Sequence, residues 1–150
     1  MKVCIHRGSN QIGGSCVEVT SAGKRILIDL GLPLDAEAND KKYLPAIPGL
    51  EGDDETLLAI LISHPHLDHF GLLGHISEKI PVIMGADARR ILGQASRSLP
   101  GTWPIPAGGL DLKSEIPIGI GPFKITPFLI DHSAYDAYSL FIEADGKRLF

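Results

Sequence analysis

Residues 55–63, ETLLAILIS, form a continuous apolar run of strand length. That pattern predicts a strand covered on both faces. Upstream the pattern is different. KVCIH (2–6) and SCVEVTS (15–21) alternate, with Cys16 out of phase with Val17 and Val19, and RILIDLG (25–31) follows after a short AGK turn. These three segments predict an antiparallel meander, the first two joined by the glycine-rich RGSNQIGG (7–14). Residues 32–54 are polar and proline-rich without a sustained period, which predicts a surface excursion with a short helix around Ala36 to Tyr43.

From His69 the period changes. Leu72, Leu73, Ile76 and Ile80 fall on one face of a helix. IPVIMG (80–85) predicts another strand. Ala88, Ile91, Leu92, Ala95 and Leu99 then mark an amphipathic helix stopped by Pro100-Gly101, before a loop over 101–109. FKITPFLID (123–131) predicts a strand ending at His132, and 137–150 a hairpin turning at Asp145-Gly146. Strands come first, then strand–helix–strand–helix, then strands. This order predicts one layered α/β (α+β) domain with mixed sheets. No fixed-period repeat or dividing linker interrupts it.

Composition adds exclusions. A 150-residue chain that is 44% hydrophobic has enough apolar residues for one core. The net charge of −4 gives no global footprint for nucleic acid. Cys4 and Cys16 have no CxxC partner, and with no leader or membrane-length apolar window they predict a soluble, cytoplasmic protein with reduced thiols. The last residue, Phe150, lies inside an apolar run, which predicts a fragment of a longer domain.

The chemistry concentrates in SHPHLDH. Three of six histidines lie within six positions, with an aspartate between them. Imidazole and carboxylate suit Zn²⁺, with Mn²⁺ or Fe²⁺ as alternatives. In an extended segment His64 and His66 point the same way and make two prongs for one metal. Asp68 and His69, where the loop turns into the helix, face a neighbouring position. Pro65 stiffens the loop. A tetrahedral site with one open position needs a third protein ligand, and His132 fits that role. Asp29 ends a strand; it is either a turn residue or a group that orients a ligand histidine. His75 falls on the polar helix face and is expected to be solvated. His6 lies either near the site or in solvent. Arg89, Arg90 and Arg97 lie off their helix's apolar stripe and read as a solvated face.

HPHLDH at 64–69 resembles the HxHxDH signature of the metallo-β-lactamase superfamily; Asp29 in ILIDLG resembles its first motif and His132 in DHSAYDA its third. GSNQIGGSCVEV and IDHSAYDAYSLFIEADGKRLF are similar to the ribonuclease J-like and β-CASP-like branch, whose members hydrolyse phosphodiester bonds in RNA or DNA. The resemblance implies an αββα sandwich, of which residues 1–150 are the N-terminal portion, ending after Phe150. It implies His64, His66 and His132 on a first zinc, and Asp68 and His69 on a second whose bridging Asp and last His lie beyond the chain. It implies a hydrolase that attacks with a metal-bound hydroxide, oriented by Asp68 as the catalytic residue and acting on RNA or another phosphodiester. The alternatives are a hydrolase of a small thioester, lactone or phosphonate, or a catalytically incomplete metal-binding fragment. Half a sandwich also predicts self-association through its uncovered apolar face.

Overall fold

The computed structural model describes residues 1–98 and 109–150. Two sheets stack on one another. The first has six strands in sequential order: β1 (Lys2–Arg7), β2 (Cys16–Ser21), β3 (Lys24–Ile28), β4 (Leu57–Leu61), β5 (Val82–Gly85) and β6 (Asp111–Leu112). The second has four strands, ordered β10 (Lys147–Leu149), β9 (Tyr138–Ala144), β8 (Phe123–Leu129) and β7 (Ile118–Ile120). The β1–β2–β3 meander is antiparallel, as its alternation predicts. From β3 to β6 the pairing is parallel, and the second sheet is antiparallel throughout.

The apolar run in β4 has its explanation here. Ile60 and Ile62 face one core with Leu27, Leu72, Leu73, Val82 and Met84. Ala59 and Leu61 face the other, with Val19, Ile26, Ile83, Phe123, Ile125 and Ile142. The first sheet is thus packed on helix and loops on one side and on the second sheet on the other. Losing a large side chain such as Ile60, which is fully buried, would cost about 2–5 kcal/mol. The register slips at Leu58, where Arg25 pairs with Leu57 and Ile26 with Ala59.

Several expectations need correction. The apolar spacing after His69 is not one helix. Helix α1 covers only Leu67–Phe70, and a 3₁₀ turn follows at Leu73–His75. The chain leaves the helix because the Leu72 amide bonds to the Leu30 carbonyl at 3.1 Å, and Gly71 sits where a Cβ would meet the Leu67 carbonyl at 2.5 Å and Leu32 Cβ at 2.7 Å. Leu72, Leu73 and Ile80 are buried all the same. The proposed helix near 36–43 is only a 3₁₀ turn at Lys41–Tyr43, capped by the Asp40 carboxylate. The surrounding excursion is not merely surface: Ile47 and Leu50 enter the core. Arg25 fastens it through Glu18, Asp54, the Thr56 hydroxyl and the Pro48 carbonyl. Strands β6 and β7 are too short for a legible period.

Helix α2 (Ala86–Ser98) buries Ala88 and Leu92, whereas Ile91 is exposed. Leu99, the Pro100-Gly101 stop and nearly all of the 101–109 loop lie outside the described residues. Arg89 is not a solvated cation. Its guanidinium ties α2 to the Asp111 carboxylate at 3.0 Å and the Val82 carbonyl at 2.9 Å. Among the described residues no helix is long and apolar enough to cross a membrane. The hairpin turn is as the sequence predicts, with Asp145 and Gly146 both at positive φ. The outer face of the second sheet carries half-buried Phe128 and Phe141, each with its ring centroid 6.2 Å from that of exposed Phe150.

Candidate metal centre

Parallel pairing places the carboxyl ends of β3 and β4 side by side. Asp29 follows β3 and donates its amide to the Leu61 carbonyl at 2.8 Å. Its φ of 60° is a left-handed conformation that aspartate tolerates better than most residues. This turn swings the carboxylate across the end of β4, where it is 5% exposed. One oxygen accepts from the Ser63 amide at 2.8 Å. The other lies 2.9 Å from the Ser63 hydroxyl and 2.7 Å from His69 Nδ1.

His64 and His69 are therefore oriented from behind. The Ser63 hydroxyl also lies 2.9 Å from His64 Nδ1. With both Nδ1 atoms engaged, the Nε2 atoms are the ones that face the site. His69 Nε2 is 3.5 Å from Asp68 Oδ2, and His64 Nε2 is 3.2 Å from His132 Nε2. His132 sits on the loop between β8 and β9, so the site draws on both sheets. One ligand atom each from His64, His66 and His132 lies within 4.8 Å of the others.

Backbone packing fixes the loop that carries these groups. The Asp68 carbonyl accepts from the Ser15 amide at 3.0 Å, and the Leu67 carbonyl from Leu32. Gly31 fills the gap. A Cβ there would lie 1.7 Å from the Asp68 carbonyl oxygen.

Burial and the neighbouring His69 charge push His64 down to about 4. It is a neutral imidazole at neutral pH, the form that ligates a metal. For His69 burial alone acts downward, but the hydrogen bond and charge of Asp29, with the charge of Asp68, outweigh it and raise the pKa. Three imidazole nitrogens converging without a covalent or ionic partner, with the His64 ring held from behind by Ser63, fit a divalent cation.

The structure brings His64, His66, Asp68, His69, His132 and Asp29 together, and Asp29 takes the orienting position rather than that of a simple turn residue. His75 is half-buried rather than fully solvated; its Nε2 lies 2.9 Å from Asn39 Oδ1. His6 lies beside Glu18, at 3.5 Å. Cys16 is buried with its thiol pushed up to about 12 by desolvation, and Cys4 and Cys16 are both free, consistent with packing. Sequence reasoning missed Ser63 and Asp136. Ser63 had only its place between strand and histidines as a signal; its partner Asp29 is 34 residues away. An open cavity of about 570 Å³ borders His132, lined by Tyr135, Tyr138, Asp131 and Ser133 among others.

A mixed sheet stacked on an antiparallel one carries a histidine-rich loop at its carboxyl edge, a candidate metal centre. The chain belongs to the Metallo-beta-lactamase superfamily, whose family model matches residues 10–91, more than half of it. Members of that superfamily are metal-dependent hydrolases. The chain is similar to an RNase J-like protein of Methanocaldococcus jannaschii, 38% identical over 68 residues, covering 45% of this chain and 14% of that protein. It is also similar to the Cleavage and polyadenylation specificity factor subunit 3-II of Arabidopsis thaliana, 35% identical over 77 residues, covering 50% of this chain and 13% of that one. Among solved structures it resembles MEM-A1, a subclass B3 metallo-beta-lactamase from a soil metagenome library. The TM-score is 0.65 at 24% identity, over 91% of this chain and 54% of that one, a likeness of fold. The chain thus spans about one seventh of the curated relatives it matches.

Proposed function

We propose that this chain carries the first metal site of a metal-dependent phosphodiesterase that acts on RNA. The convergence of His64, His66 and His132 beside Asp68 and His69 carries this reading. The nuclease-type relatives support the substrate class. His64, His66 and His132 would hold one cation, zinc by the chemistry of the donors, and Asp68 and His69 would contribute to a second. Bound there, a divalent cation acts as a Lewis acid and lowers the pKa of a coordinated water from about 16 toward about 7.

The chain's own groups do the rest. Ser63 and Asp29 hold the tautomers of His64 and His69. The Asp68 carboxylate, half-buried at the head of α1, orients the attacking water and takes its proton. The cavity beside His132 admits the substrate.

A second reading has its own observation. Exposed Leu34 and Leu67 lie beside Asp68, and exposed Ile12 precedes Gly13, where a Cβ would meet Leu34 at 2.6 Å and Asp68 at 3.1 Å. The nearby Arg7 is turned inward, to the Gly31 and Tyr43 carbonyls. An apolar rim suits a small thioester, lactone or phosphonate.

Metal content of purified wild type and His66→Ala, with hydrolysis of a short RNA and of a thioester measured in parallel, tests the proposal. About one zinc per chain, lost in the variant, is expected. Protein that holds zinc and cleaves only the thioester selects the second reading; protein that holds zinc and cleaves neither is a metal-binding module. Absence of zinc from wild type overturns the site.

A further inference from the structure

His132 is the exposed member of the triad, on the loop of residues 130–137 between β8 and β9. The loop's ends are closed by the Ile130 amide on the Ala137 carbonyl at 3.0 Å, and by the Tyr138 amide on the Ser63 carbonyl at 2.9 Å. Within it Asp131, His132, Ser133 and Tyr135 are all exposed. Asp136 is not. Its Oδ2 accepts from the backbone amides of Asp87 and Ala88, both at 2.9 Å, at the first turn of α2. Burial, and after it the neighbouring Asp136 carboxylate, pushes the Tyr138 hydroxyl up to about 12.

Two further features are arranged around this contact. Asp136 holds a left-handed φ of 61°, which aims its side chain back toward α2. Gly85, the last residue of β5, leaves the room: a Cβ there would lie 2.0 Å from Asp136 Oδ2. A carboxylate accepting two orphan amides of a helix start is a capping interaction supplied from 49 residues away. It links the loop of the second sheet to the helix layer across the edge of the first sheet.

We infer that Asp136 is a positioning residue for the metal centre: its bond to the start of α2 holds the His132 imidazole within reach of His64 and His66. This inference rests on the three-histidine reading above. The Asp136 carboxylate does not ligate; it acts through the loop. The room left at Gly85 belongs to the same device.

The test is zinc affinity of the whole chain, by competition with a chromophoric chelator, with folding followed by circular dichroism. Asp136→Ala is expected to weaken zinc binding about tenfold, the low end for residues that support a ligand from behind. Asp136→Asn keeps an acceptor oxygen and is expected to restore most of the affinity. Gly85→Ala displaces the carboxylate from the other side and is expected to reproduce the loss, which keeps the test decisive if Asp136→Ala does not fold. The discriminating measurement uses a His132→Ala background, titrated with zinc at concentrations high enough to read the weakened two-histidine site. There Asp136→Ala should cause no further loss, because nothing is left to position. An equal loss in both backgrounds, or affinity within twofold of wild type in Asp136→Ala and Gly85→Ala, overturns the inference while the metal site stands. Wild type that binds no zinc overturns the site itself, and this inference with it.

Discussion

Asp29→Asn separates the role of charge at the centre from the role of shape. The substitution is nearly isosteric, and asparagine tolerates the left-handed φ of 60°. Its carbonyl oxygen can still accept from the Ser63 amide, now 2.8 Å away. The other position then carries an NH₂ group facing His69 Nδ1 at 2.7 Å. An NH₂ donates, so Nδ1 must accept, and the ring proton moves to Nε2. That nitrogen is then closed to a metal. The lost contact is a hydrogen bond to a charged acceptor between groups only 7% and 21% exposed, so screening is limited. Such a bond is worth about 1.5–3 kcal/mol. We expect a destabilisation of about 2 kcal/mol in mildly acidic buffer, by urea titration. His69's pKa is raised in the fold, so its pairing with Asp29 stabilises fully below the unfolded value near 6.5 and fades as pH rises through the folded value. The gap between wild type and variant therefore narrows with rising pH. Histidine ¹⁵N spectra in alkaline buffer read the tautomer directly. A variant whose His69 keeps its proton on Nδ1 refutes the reasoning.

Three other outcomes follow from the geometry. Gly31→Ala drives a Cβ to 1.7 Å from the Asp68 carbonyl oxygen and 2.8 Å from the Ser15 amide; we expect a loss of about 3 kcal/mol and of bound zinc together, and a thermally unaltered, zinc-loaded variant would contradict the packing of these loops. In metal-free protein His64 should remain neutral at pH 5, because its folded pKa of about 4 lies below the unfolded 6.5; its contribution to stability is complete above about pH 6.5 and declines as pH falls toward 4, and a ring titrating near 6.5 by NMR would count against its burial. Sedimentation at micromolar concentration should show self-association through the Phe128, Phe141 and Phe150 face, weakened by Phe150→Ser, whereas a monomeric wild type rules it out.

Contiguous chemistry is legible in a sequence, and contacts between distant segments are not. HPHLDH declares itself because four potential ligands follow a doubly buried strand, and His132 because it ends a second strand. The meander, β4, β5, α2 and the terminal hairpin come from unbroken periods. The segment 67–80 misleads because an irregular chain pressed against a sheet buries its leucines as efficiently as a helix does. Gly71 and Gly74 were the local warning. Nothing local joins Asp29 to Ser63, or Asp136 to the start of α2, since those partners meet only after the parallel strands are in register and the sheets have stacked.

The sheet-on-sheet architecture gives the histidine triad a mechanical side. His64 hangs from the first sheet and His132 from the second, 68 residues apart along the chain. A cation held by both is a tether across the interface between the layers. A covalent bridge closing a loop of that length would withdraw roughly 4 kcal/mol of chain entropy from the unfolded state. An ion bound there would act as a clasp as well, and amide exchange in β8 and β9 would slow as the clasp closes.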